Sequence, residues 1–88
     1  MREMAFTKKP SKRYLNPAFL KKLGEHCREI RRKKGYSIDR MWREGEKLSP
    51  AAVQRLESGK SDVHVSLLYR YASVLGVEPF ELLKFKGS

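Results

Sequence analysis

The chain has 88 residues, room for one domain with a single modest core and not for two. Twenty basic residues against 10 acidic ones give a formal charge of +10, and hydrophobic residues make up 40%, a balance that favours a basic globular domain over a disordered chain. A lone cysteine excludes an internal disulfide, no apolar run approaches the ~18 residues a membrane span needs, and no apolar signal core follows the basic N-terminus, so a cytoplasmic protein is expected.

The excess charge lies in residues 1–34, and residues 61–88 are balanced. A basic front half and a neutral back half assign one face to a polyanion and another to packing or partner contacts. Nucleic acid is the first candidate and an anionic membrane surface the second. Residues 1–16 lack sustained periodicity and cluster Lys8, Lys9, Lys12 and Arg13, which reads as a flexible basic arm. A first helix is predicted from Pro17 to Lys34, with Asn16 as its cap and Pro17 at the first helical position, where a missing N–H costs little. Leu20, Leu23, Cys27 and Ile30 recur at three- and four-residue steps and form one apolar stripe. Arg31, Arg32, Lys33 and Lys34 crowd the negative end of that helix, and Gly35 stops it. Ser37 caps a second, short helix whose apolar members are Met41 and Trp42 and whose end is Gly45. Ser49 caps a third, with Pro50 in its first turn, Val53 and Leu56 facing inward and Gly59 closing it. A loop over residues 60–64 leads to a fourth helix from Ser66 to Leu75, in which Leu68, Tyr71, Ala72 and Leu75 share one face. Gly76 ends it, and Pro79 opens a last short helix carrying Phe80, Leu82 and Leu83. The predicted fold class is all-α: a compact five-helix domain over residues 17–85, preceded by the arm (1–16) and followed by a short tail (86–88).

Residues 37–59 carry the functional argument, because they form a capped short helix, a turn and a second capped helix. A helix-turn-helix unit sets its second helix in the major groove while the first crosses the backbone. That second helix needs two faces. Val53 and Leu56 can hold one to the core, leaving Pro50, Ala51, Gln54, Arg55 and Ser58 for bases and phosphates, with no acid on the outer face before Glu57.

Residues 20–83 resemble the lambda-repressor-like, or Xre, helix-turn-helix family. The stretch Leu23 to Ser37 (LGEHCREIRRKKGYS) resembles its first helix and following glycine. Leu48-Ser49, Val53 and Arg55-Leu56-Glu57-Ser58-Gly59-Lys60 resemble its recognition helix and closing turn. Ala72, Leu75-Gly76-Val77 and Leu82-Leu83 resemble its fourth and fifth helices. The resemblance implies a five-helix DNA-binding domain, usually dimeric on two-fold operators. It implies DNA contacts from Ser37, Ser49, Pro50, Ala51, Gln54, Arg55, Ser58 and Lys60; the charge of the arm, outside the resemblance, adds Lys8, Lys9, Lys12 and Arg13 as candidate DNA contacts. It also implies a buried ion pair between Arg31 and Glu57. Three positions depart from the pattern. Ile38 stands where the family usually has a glutamine that helps hold the backbone, Trp42 replaces a small alanine and either repacks that joint or lies outside it, and Arg43 to Lys47 is one residue longer than usual, which bears on the angle between the second and third helices.

Several side chains have more than one reading. Arg55 can grip a guanine through two hydrogen bonds, touch a phosphate, or stand solvated. Gln54 can read adenine or face a phosphate or water, and Pro50 and Ala51 offer only apolar contact, as to a thymine methyl, so indirect readout of DNA shape gains weight. The arm can lie along the backbone, enter a minor groove or remain solvated. Cys27 reads as a small core residue. His26 and His64 are far apart and lack zinc-ligand spacing, so no metal or other cofactor is expected. Ser37 and Ser49 are better explained as caps than as nucleophiles, and no catalytic arrangement is seen, so no enzyme is expected.

The expected function is that of a sequence-specific double-stranded DNA-binding regulator, repressor or activator, acting as a homodimer. With nothing beyond the helical domain to hold a sensor, regulation is expected through protein level, a partner or an antagonist. Two alternatives stay open: an antitoxin or restriction-system controller of the same fold, which would bind a toxin or act within that system, and a protein-interaction module on this scaffold, supported by Pro50, Ala51 and Ile38. A membrane-surface role would need a broad apolar face, and the first helix has only the stripe of a core-facing helix.

Overall fold

The structure, a computed structural model, describes residues 16–45 and 48–86. Helix α1 (Pro17–Lys33), α2 (Ile38–Glu44), α3 (Pro50–Ser58) and α4 (Val65–Leu75) follow one another and are closed by a 3₁₀ helix over Pro79–Leu83. No strand occurs among the described residues. Lys8, Lys9, Lys12 and Arg13, residues 46–47 of the lengthened turn and residues 87–88 lie outside them.

Short side-chain oxygens set where three of the helices begin. Asn16 accepts from the Phe19 N–H at 3.0 Å, Ser37 from Arg40 at 3.0 Å and Ser49 from Ala52 at 3.2 Å. Each cap satisfies an otherwise orphaned donor and stabilises its helix by about 1 kcal/mol. Helix α4 begins at Val65 after His64, which makes no side-chain cap bond. The last helix differs in kind from the expectation. Its bonds run from Glu81 N–H to Glu78 and from Lys84 N–H to Glu81, three residues apart, at 2.9 and 3.3 Å. A five-residue segment has too few positions to build an α-helical ladder, and short closing segments commonly tighten in this way.

The core gathers Leu23 and Cys27 of α1, Met41 of α2, Leu48 from the preceding turn, Val53 and Leu56 of α3, Tyr71, Ala72 and Leu75 of α4, and Leu82. Trp42 does not join it and remains 48% exposed. With seven residues α2 offers little inward surface; Met41 is its buried residue, and the next position is rotated about 100° away. The C-terminal segment folds back on α1, with Phe85 5.4 Å from the Phe19 ring and 5.5 Å from His26, whose Nε2 lies 2.9 Å from the Glu81 carbonyl.

Helices α1 and α3 meet almost backbone to backbone, because glycine faces the partner from each side. A Cβ on Gly24 of α1 would lie 2.5 Å from the Glu57 carbonyl oxygen and 2.7 Å from that of Leu56. Gly59, which ends α3 at φ +67°, presses on α1, where a Cβ would sit 2.6 Å from the Lys21 Cα. Periodicity gives no hint of Gly24, which sits inside a helix where glycine costs about 1 kcal/mol relative to alanine. Gly24→Ala should therefore destabilise despite its better helix propensity, by about 1–3 kcal/mol, the usual range for overpacking. Chemical denaturation followed by circular dichroism checks this, and an unchanged midpoint would show that α1 is free to draw back from α3.

Candidate nucleic-acid interface

Glu57, near the end of α3, is 6% exposed and Arg31, near the end of α1, is 8% exposed. The guanidinium grips the carboxylate with two hydrogen bonds, Nε to Oε2 at 2.7 Å and Nη2 to Oε1 at 2.9 Å, the fork geometry that only arginine provides. Its Nη1 donates to the Tyr36 carbonyl at 2.9 Å and so fastens the link between α1 and α2. From α4 the Tyr71 hydroxyl donates to Glu57 Oε2 at 2.5 Å, with the Cys27 carbonyl 3.0 Å away. One phenol proton serves both contacts, and the charged, nearer carboxylate is the stronger acceptor. Three helices thus meet at one carboxylate, and the loop before α2 is tied to its guanidinium partner.

The surroundings shift the neighbouring acids in a consistent direction. Burial, and then the bond to Glu57 and its negative charge, push the Tyr71 phenol above its ordinary range. The Glu57 hydrogen bonds hold the Arg31 guanidinium more firmly protonated. Burial, reinforced by the charge of Glu57, raises the Cys27 thiol to about 12. The folded chain therefore keeps the Cys27 proton more tightly than the unfolded one. The stability this represents is complete below about pH 9 and is lost as pH rises toward 12.

The lock fixes the outer face of α3. Pro50, Ala51, Gln54, Arg55 and Ser58 are exposed there, and Lys60 is exposed just beyond. Exposed Ser37 and half-buried Ser49 use their oxygens as cap acceptors, which leaves each hydroxyl proton available to an outside acceptor. Ser58 is spent internally, donating to the Arg55 carbonyl at 3.1 Å and accepting from the Lys60 N–H at 3.4 Å. Gln54 turns to one side, where it lines a cleft of about 440 Å³ with Arg28 and Arg32 of α1, Ile38 and Ser58.

Helix α2 contributes less positive charge than its arginines suggest. Arg40 pairs with Glu44 at 2.9 Å and lies 3.9 Å over the Tyr36 ring, and Arg43 pairs with Asp39 at 2.9 Å. Arg40 lowers the Glu44 carboxyl and is itself raised, each through their shared hydrogen bond. Both pairs are four residues apart on one helix, a spacing from which the sequence alone could have given them. Sequence reasoning also misses Arg28, Arg32 and Tyr71 as site residues. The first two are submerged in a basic stretch, and Tyr71 reads there as an apolar position, although a buried phenol needs a partner. Among the described residues no three His, Cys, Asp or Glu side chains gather as metal ligands, and no helix is long and apolar enough to cross a membrane.

Removing a donor to the buried carboxylate should be costly. Tyr71→Phe is expected to lose about 1.5–3 kcal/mol, the range for a hydrogen bond to a charged group, and Arg31→Met about 3–5 kcal/mol by stranding Glu57. Thermal denaturation measures both, and losses below about 1 kcal/mol would mean that water has taken over the role of the missing donor. Cys27 should resist iodoacetamide at pH 8 in the folded chain and react once the chain is unfolded.

The crystal structure of the DNA-binding domain of BldD superposes on this fold with a TM-score of 0.68 and 28% sequence identity, covering 77% of this chain and 97% of that one. No curated protein matches the sequence significantly. The helix-turn-helix family's sequence model matches residues 28–82, from the last turns of α1 through the 3₁₀ helix. That span takes in the capped pair α2 and α3 together with both halves of the Arg31–Glu57 bond, and the chain belongs to the lambda-repressor-like, or Xre, helix-turn-helix family.

Proposed function

We propose that the chain is a sequence-specific double-stranded DNA-binding transcriptional regulator, repressor or activator, that sets α3 in the major groove. The observation that carries this reading is the outer face of α3. Arg55 is exposed, Lys60 is exposed just beyond, and the one acid within α3, Glu57, is buried and matched by Arg31 and Tyr71. A reading helix must present donors to a polyanion without an opposing carboxylate and must not tilt as it does so. The BldD domain, described as DNA-binding, supports the same direction. In this reading Arg55 contacts a base edge, Pro50 and Ala51 offer apolar contact, Ser37, Ser49 and Lys60 lie toward phosphates while the hydroxyl of Ser58 is spent within the chain, and Lys8, Lys9, Lys12 and Arg13 add sequence-independent affinity. The protein works as a homodimer, with Phe80 and Leu83, 59% and 49% exposed beyond α4, as its contact surface; Phe85, the third apolar residue the sequence offers there, packs on Phe19 and His26 instead. One module of this size covers only about 600–1,000 Å² of protein surface on DNA, so two raise affinity and match a two-fold operator.

A second reading, contact with another protein, is favoured by Trp42 and Tyr69, which are 48% and 62% exposed. Selection of bound sequences from random duplex DNA separates the two. An enriched motif supports the regulator, and the absence of any salt-dependent retention of duplex moves the function to a protein partner. Given a motif, Arg55→Ala should flatten the preference at one position by about 1–3 kcal/mol of discrimination, read from affinities across single-base variants. A preference profile identical to that of the parent would remove Arg55 from the base contacts. Sedimentation across protein concentrations should show a dimer that Phe80→Asp with Leu83→Asp converts to monomer. A chain that stays monomeric both free and on a palindromic site would eliminate that surface.

A further inference from the structure

We propose that the cleft between α1 and α3 seats a DNA backbone phosphate, held by Arg28 and Arg32 with the Gln54 amide, so that α1 grips the backbone beside the reading helix. The inference rests on the DNA-binding reading above and assigns one further phosphate contact chiefly to arginines of α1, outside the helix-turn-helix pair.

Helix α2 carries two arginines and two carboxylates. Its two arginines are each held 2.9 Å from a carboxylate of the same helix, and Arg40 is also occupied by the Tyr36 ring. Ile38, at its first position, has no hydrogen-bonding side chain. The outward charges of α2 cancel, so it offers a phosphate little net attraction. The cleft offers the opposite balance. Among the described residues Glu57 is the only acid that lines it, and Arg31 and Tyr71 already satisfy that carboxylate. Arg28 lies 3.7 Å from Glu57, longer than a hydrogen bond, and its side chain is 49% exposed. Arg32 is exposed beside it. The cleft therefore carries two surplus positive charges over a neutralised floor, within about 440 Å³, ample for a phosphodiester group.

Position gives the cleft its use. Gln54 lines it while the next residue, Arg55, stands exposed on the outer face of α3. A phosphate held by Arg28, Arg32 and the Gln54 N–H₂ would lie beside the base-contacting side chain and anchor α3 to the backbone with sequence-independent affinity. Gln54 is then a positioning residue, and its amide serves the backbone and not an adenine edge.

The test uses the full chain with two variants, Arg28→Gln/Arg32→Gln and Gln54→Glu. The second puts a carboxylate into the cleft without touching the Arg31–Glu57 bond, and circular dichroism confirms that both fold. The double variant should lower affinity for selected and unselected duplexes by the same factor. It should also reduce the slope of log affinity against log salt by about 0.9, the value for one phosphate no longer neutralised. Gln54→Glu should weaken both duplexes alike and leave base preferences intact, the pattern opposite to that of Arg55→Ala. In parallel, titration with inorganic phosphate should shift the Arg28 and Arg32 Nε–H and Gln54 amide resonances of the parent chain. An unchanged salt slope in the double variant, or a change of base preference in Gln54→Glu, overturns the proposal. Phosphate-induced shifts in a chain that binds no duplex would sustain the cleft as a phosphate site and refute the DNA-binding reading instead.

Discussion

When α3 docks on α1, Glu57 loses nearly all contact with water, and a carboxylate moved into that setting is unfavourable by several kcal/mol unless donors replace the solvent. Arg31 supplies two donors and Tyr71 a third, from helices on either side. The same guanidinium reaches the Tyr36 carbonyl, so the entry to α2 is tied to the same point. Such a network adds little net stability beyond what apolar packing in its place would give, but it penalises every arrangement in which one partner is missing. Its value lies in excluding alternative tilts of α3.

The charge of the domain is apportioned by the same logic. Carboxylates four residues apart from arginines neutralise α2, while the end of α1 keeps Arg28 and Arg32, with Lys33 and Lys34 beyond them. Net charge alone describes a basic protein; pairing decides where a polyanion meets it. Exposed pairs of this kind contribute little to stability, and here they leave α2 without net positive charge.

Local chemistry is legible in the sequence, and so are features that depend on a single helix face. Asn16, Ser37 and Ser49 announce helix starts because a cap needs only its own neighbours, and Gly35, Gly59 and Gly76, all at positive φ, announce ends for the same reason. The stripe of Leu20, Leu23 and Cys27 follows from helical spacing. What escapes depends on contacts between distant elements. Gly24 matters through carbonyls 32 and 33 residues away, and Tyr71 through a carboxylate on another helix. Trp42 groups with Met41 in the sequence because apolarity does not say which of two adjacent positions faces in. Gln54 reads as a partner of Arg55 until α1 supplies a wall to its side. In the site, therefore, the chemical types are readable and their division between outer face and cleft is not.

The glycine contact between α1 and α3 has a consequence for how such a domain can diversify. Where side chains separate two helices, a change of rotamer or volume can swing one against the other. Here the spacing at Gly24 and Gly59 is set by main-chain atoms, which are the same for every amino acid. The pose of α3 is insulated from the identities of the residues it displays. On the DNA-binding reading, positions 50, 51 and 55 can be exchanged as an alphabet is exchanged in a fixed frame, so new target preferences are accessible by a few outward substitutions without re-solving the fold.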